Sequence, residues 1–135
     1  MNLEFEDILD RGDLGKERIV FRAKADTELG EYAVFSAFNT ESGITNFVNA
    51  AYWFPDGPIK AGDAVLLYTK EGVSRAGKVS GEGKPKTHDL YWGRQRPLWD
   101  ENIRIPILVL VAEWKPFRAA QEAPSSSKPG TGTTG

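Results

Sequence analysis

The chain predicts an all-β domain, a sandwich or a small β-barrel of about six to eight strands. Three observations lead there. Apolar and polar residues alternate with period two in short runs. Turn chemistry separates those runs at intervals of about 8–12 residues. Almost nothing has the 3.6-residue period of an amphipathic helix. Pattern alone does not divide sandwich from barrel.

The first regular run begins at Glu17. Ile19, Phe21, Ala23 and Ala25 point one way and Arg18, Val20, Arg22 and Lys24 the other, as in a half-buried strand. Asp26-Thr27-Glu28-Leu29-Gly30 is turn chemistry. Glu31 to Phe38 is apolar on both faces (Tyr32, Val34 and Phe38 against Phe35), which suits a central strand. A second turn, Asn39 to Gly43, leads into a strand from Ile44 to Phe54 that ends in Tyr52-Trp53-Phe54. In Pro55-Asp56-Gly57-Pro58 the proline presets φ and the glycine supplies positive φ after Asp56. A further bend, Ile59 to Asp63, precedes the strand from Ala64 to Thr69.

Residues 71–87 break the rhythm with Gly72, Gly77, Gly81 and Gly83, and read as one long flexible loop. His88 to Trp92 forms a short strand. Ile103 to Trp114 supplies the last strand or pair of strands, where Pro106, lacking an N–H, demands a bulge, a break or an edge. Before the domain, residues 1–16 form an acidic arm (Glu4, Glu6, Asp7, Asp10 and Asp13). Leu3, Ile8 and Leu9 suit one helical turn there, stopped by Gly12 and Gly15. The Arg11-Gly12-Asp13 triplet is read as a chance match to an integrin-binding tripeptide. After the domain, which spans 17–117, residues 118–135 lack any large apolar side chain and read as a disordered tail or linker.

At 135 residues the length fits a single domain. The chain has no cysteine, which excludes disulfides and thiolate metal sites. Its net charge of −2 opposes wholesale attraction to nucleic acid or an anionic membrane. The N-terminus has neither the basic nor the apolar region of a signal peptide. The longest apolar run, Ile107 to Ala112, falls far short of the roughly 20 residues that a membrane helix needs. The expected compartment is the cytoplasm, or a virion if the gene is a phage's.

Several of these turns and strands together resemble a known family. Gly30-Glu31-Tyr32-Ala33-Val34-Phe35, then Trp53-Phe54-Pro55-Asp56-Gly57, then Ile59-Lys60-Ala61-Gly62-Asp63-Ala64-Val65-Leu66-Leu67 are similar to the pattern of lamin-tail domains. Trp92-Gly93 and Trp99-Asp100 match the family's tryptophan-containing loop. The chain departs from it at Ala61, where proline is usual, and at Asp100-Glu101-Asn102, where a glycine-aspartate pair is usual. The resemblance covers residues 17–115 and implies an immunoglobulin-like β-sandwich that acts as a binding or docking module.

Groups for catalysis are scarce. His88 is the only histidine, and the adjacent His88-Asp89 pair lacks the further ligands a metal site requires; His88 is read as a solvated loop residue. No serine stands in a nucleophile-elbow context. Asp56, Asp63 and Asp89, or Asp100 with Glu101, are the carboxylates available for acid/base work, but aspartates in turns serve their own backbone. Gly81-Glu82-Gly83-Lys84 lacks the ending of a phosphate loop. No cofactor or metal is expected.

Two surfaces remain. Tyr52, Trp53 and Phe54 are a protein-binding candidate: Tyr52 and Phe54 share one face of a strand and Trp53 takes the other, a side chain enriched at interface hot spots. The segment from Lys70 to Arg96 carries seven basic against three acidic side chains, interleaved with aromatics. Arg75, Lys78, Lys84, Lys86, Arg94 and Arg96 with Tyr91, Trp92 and Trp99 are therefore a nucleic-acid candidate, the cations for phosphates and the rings for unpaired bases. The first reading is a non-enzymatic binding or assembly module whose partner is another protein. Single-strand nucleic-acid binding is the alternative, and an enzyme with an unrecognised carboxylate site the third.

Overall fold

The computed structural model describes residues 1–79 and 84–119, with the backbone alone over 75–79. Among the described residues lie β1 (Leu3–Leu9), β2 (Arg18–Ala23), β3 (Thr27–Glu28), β4 (Tyr32–Thr40), β5 (Gly43–Trp53), β6 (Pro58–Ile59), β7 (Ala64–Tyr68), β8 (Arg75–Val79), β9 (Lys86–Tyr91) and β10 (Arg104–Leu110), with one 3-10 turn at Leu29–Glu31. They make a five-stranded sheet in the order β1-β2-β7-β9-β8, a three-stranded sheet β10-β4-β5 and a two-stranded β3-β6 ribbon. The fold is the expected all-β sandwich.

Alternation explains the packing. Ile19, Phe21 and Ala23 of β2, Val65 and Leu67 of β7 and Leu90 of β9 turn inward. They meet Tyr32 and Val34 of β4 and Ala50 and Tyr52 of β5 in one core. Phe54, Trp92, Leu98 and Trp99 complete it from the segments after β5 and β9. A chain of rings links the two sheets: Phe21 to Phe54 at 5.6 Å, Phe54 to Tyr52 at 5.5 Å, Tyr52 to Trp92 at 5.7 Å and Trp92 to Trp99 at 6.0 Å. Each large side chain so buried stabilises the fold by about 1.5–3 kcal/mol.

β7 and β9 run parallel, while the other strand pairs are antiparallel. Pro106 sits in β10, an edge strand, opposite Ser36 of β4. An edge position leaves its missing N–H without consequence for the ladder.

Two expectations about the elements are corrected. Residues 1–16 are not an arm outside the sandwich, because Leu3–Leu9 is β1, paired along β2. A bulge between Phe5 and Asp7 hid it. Leu3 and Phe5 face the core before the bulge and Ile8 after it, so the period of two is lost in the sequence. The same bulge, with Glu4 and Glu6, blunts this edge against unwanted pairing. Leu3 is 1% exposed, and Leu3→Ala should cost about 2 kcal/mol in a urea melt, the low end for buried leucine because it sits near a chain end.

Residues 71–87 are likewise not one loop. They contain β8 and the first residues of β9. β8 is an edge strand held to β9 by backbone pairing, which needs no alternation of side chains to form. Residues 80–83, and the tail from residue 120 on, lie outside the described residues.

Candidate functional site

The two main sheets differ on their outer faces. On the five-stranded sheet, side by side, stand Arg22, Ala64 and Thr87; then Val20, Leu66 and Asp89; then Arg18, Tyr68 and Tyr91. Charges stud this face, and Arg22 and Arg18 are paired with Glu6 at 2.9 Å and Asp10 at 2.5 Å. It is an ordinary solvated surface.

The outer face of the three-stranded sheet carries no charge. Its rows are Val109, Ala33 and Trp53; Ile107, Phe35 and Ala51; and Ile105, Ala37 and Val48. All nine positions are apolar. Ala33 and Ala37 are covered by their larger neighbours, while Phe35, Ala51, Trp53, Ile105, Ile107 and Val109 are half-buried and Val48 is exposed. Ile44, Ile103 and Trp114, all exposed, extend the apolar surface along the same strands and the segment after β10. Trp114 meets Trp53 edge-on at 5.0 Å, and the Trp53 indole N–H donates to the Gly30 carbonyl at 2.9 Å. These two contacts fix Trp53 at one end of the face.

A second feature is a cleft of about 630 Å³ lined by Asn49, Arg94, Gln95, Arg96, Asp100 and Arg104, with Gly93, Pro97 and Leu98. Backbone bonds fasten its loop at one end: Trp92 N–H to the Tyr68 carbonyl (2.8 Å), Gly93 to Lys70 (3.1 Å) and Arg94 to Thr69 (2.8 Å). Gly93, at φ +83°, turns the chain there in a conformation that favours glycine. Glu17 fastens the other end. Its carboxylate, in a residue 0% exposed, accepts from the Leu98 and Trp99 N–H groups (2.9 and 3.1 Å), the Gly12 N–H (3.0 Å) and the Thr69 hydroxyl (2.5 Å). Arg104 completes the frame by donating to the Leu98 carbonyl and the Asp100 carboxylate.

The sequence-nominated residues distribute unevenly over these features. Tyr52 and Phe54 are core side chains, 1% and 0% exposed, and only Trp53 of that trio lies on an outer face. Burial pushes the Tyr52 hydroxyl up to about 12. Of the nucleic-acid candidates, Trp92 and Trp99 are 1% exposed and cannot stack on a base. Tyr91 stacks on Tyr68 at 5.1 Å, on the five-stranded sheet. Lys84 and Lys86 are exposed, and the side chains of Arg75 and Lys78 lie outside the described residues. Arg94 and Arg96 line the cleft. Among the described residues, Trp92 and Trp99 thus do not contribute to the stacking platform expected from residues 70–99.

The carboxylates also scatter. Asp56 borders a separate depression with Glu28 and Glu31, whereas Asp63 is buried, 3% exposed. His88 is 6% exposed and not a solvated loop residue, since β9 carries it opposite Val65 and its Nε2 reaches Asp63 Oδ2 at 3.0 Å. Asp63 also accepts the N–H groups of Lys60 (3.1 Å) and Lys86 (2.9 Å). Burial pushes its carboxyl up, but His88 and the two backbone donors outweigh that and hold it below its ordinary value. Among the described residues no three His, Asp or Glu side chains could share a metal ion, and no helix is long and apolar enough to cross a membrane.

Sequence reasoning missed Phe35, Ala51, Ile105, Ile107 and Val109 as a surface. The available signal was the two-sided apolarity of Glu31 to Phe38, read there as the mark of a covered central strand. The sequence matches no protein-family model and no curated protein.

Proposed function

We propose that the chain is a non-enzymatic binding or assembly module whose contact surface is the outer face of the β10-β4-β5 sheet. One observation carries this reading: nine aligned positions over three strands, without a polar or charged side chain, on a sheet whose other face already forms the core. Contiguous apolar patches of that kind on a folded chain mark interaction surfaces. Trp53 supplies a rigid aromatic anchor of the type that dominates interface energetics. The resemblance to lamin-tail domains, with their docking roles, agrees with it.

The partner must present an apolar surface free of charge where it meets this sheet, because a buried unpaired charge would cost several kcal/mol. A second copy of the chain satisfies that requirement with the same face, packed sheet on sheet about a two-fold axis. This is the occupant we assign.

Sedimentation velocity across a concentration series tests it. The wild-type chain should shift from monomer to dimer with rising concentration. Phe35→Lys, at the centre of the face, should weaken association by roughly a hundredfold or more while leaving the core untouched. A chain that stays monomeric at every concentration and retains no partner from its host overturns the reading.

A further inference from the structure

We propose that the cleft beside Asn49 is a binding site for a small phosphorylated ligand that carries hydroxyl groups, such as a sugar phosphate. The site is separate from the apolar sheet face. Three arginines, Arg94, Arg96 and Arg104, line the cleft with one acidic residue, Asp100. Arg104 is committed to Asp100 at 3.0 Å. Arg94 and Arg96 have no side-chain hydrogen bond or ion pair among the described residues. On a chain of net charge −2, the cleft therefore concentrates unneutralised positive charge. Planar guanidinium forks pair with phosphate oxygens two at a time, which fits them for this ligand.

Asn49 adds an independent requirement. Asn49 lines the cleft, and its side-chain oxygen is buried with no donor among the described residues. Buried polar atoms are ordinarily satisfied, so the oxygen asks for a hydroxyl or amine on what binds. Gln95 does not supply that donor; its amide nitrogen donates to Glu71 at 2.7 Å. A phosphate for the arginines and a hydroxyl for Asn49 together describe a phosphorylated polyol. The volume of about 630 Å³ lies in the range of small-molecule sites. A nucleic-acid strand fits less well, for among the described residues no aromatic side chain lines the cleft and both nearby tryptophans are buried.

Titration calorimetry on the full chain, with ribose 5-phosphate, inorganic phosphate and a 5′-phosphorylated oligothymidylate as probes, tests the proposal. Ribose 5-phosphate should bind with a Kd of about 1 mM or tighter and weaken as salt rises. It should exceed inorganic phosphate by roughly tenfold, the increment of one good hydrogen bond. The double variant Arg94→Ala/Arg96→Ala should lose binding of both small probes by about tenfold or more. Asn49→Ala should keep phosphate binding and abolish the preference for the sugar. Phe35→Lys should leave all of these values unchanged, so failure of the assembly reading and failure of this one are distinguishable. A thermal melt establishes that each variant is folded. No saturable binding to either small probe, binding insensitive to the arginine substitutions, or an oligonucleotide preferred tenfold over the sugar phosphate would overturn the proposal.

Discussion

Glu17→Gln should lower the unfolding free energy by about 3 kcal/mol, and Glu17→Ala by about 4 kcal/mol or more. The size follows from the donor count. Four donors converge on the two carboxylate oxygens, two on each. Glutamine keeps one oxygen and replaces the other with an NH2 group, which cannot accept. If that group faces Gly12 and Trp99, two backbone N–H groups lose their acceptor. In the other orientation the Thr69 hydroxyl can turn and accept, and only the Leu98 N–H is orphaned. Each buried N–H so stranded costs about 1–3 kcal/mol, and the surviving bonds weaken because the acceptor is neutral. Alanine strands all four and opens a void. Urea unfolding at neutral pH, followed by tryptophan fluorescence, measures both variants. A loss under about 1 kcal/mol for Glu17→Ala would show that the loop relaxes to find water instead.

That residue also shows where the sequence stops being informative. Glu17 was legible only as the polar start of a strand, because a carboxylate contacted by donors from residues 12, 69, 98 and 99 leaves no local pattern. β2 and β7 were legible from their alternation and β4 from its apolar faces, and the turns because proline, glycine and aspartate act locally, whereas the two-residue β3 and β6 fell in stretches read as turns. β1 escaped because a bulge resets its parity, and β8 because backbone pairing at an edge writes nothing into side chains.

The candidate surfaces divide in the same way. Trp53 and the arginines of the cleft loop were nominated from their chemistry alone, and they do lie at surface features. Trp92 and Trp99 were nominated by the same reasoning and are core. A tryptophan between basic residues reads alike whether its ring faces solvent or closes a sandwich. The apolar face was hidden for a related reason. Two-sided apolarity in a strand normally means that both faces are covered, and here only one is.

Asp63→Asn should lower stability at neutral pH by about 2–3 kcal/mol and flatten the acid side of the stability curve. In the folded chain Asp63 serves three donors: the N–H groups of Lys60 and Lys86 and the His88 ring. Asparagine retains one acceptor oxygen, so at least one of those groups is left unpaired. The pH dependence has a definite sign. These bonds hold the folded-state carboxyl below its ordinary value of 3.8, so folding favours the ionised form. Its contribution is therefore fully present above about pH 4, where the unfolded chain is also ionised, and disappears as pH falls through the lower folded value. Wild type should lose stability across that acid window more steeply than Asp63→Asn, and the two curves should converge below it. Asp26 is a useful control, because the Ala61 N–H and the Lys60 charge lower it too, but it stands in solvent. Exposed pairs contribute little, so Asp26→Asn should leave the acid limb close to that of wild type. Parallel acid limbs for Asp63→Asn and wild type would mean that the buried carboxyl does not set the acid sensitivity of this fold.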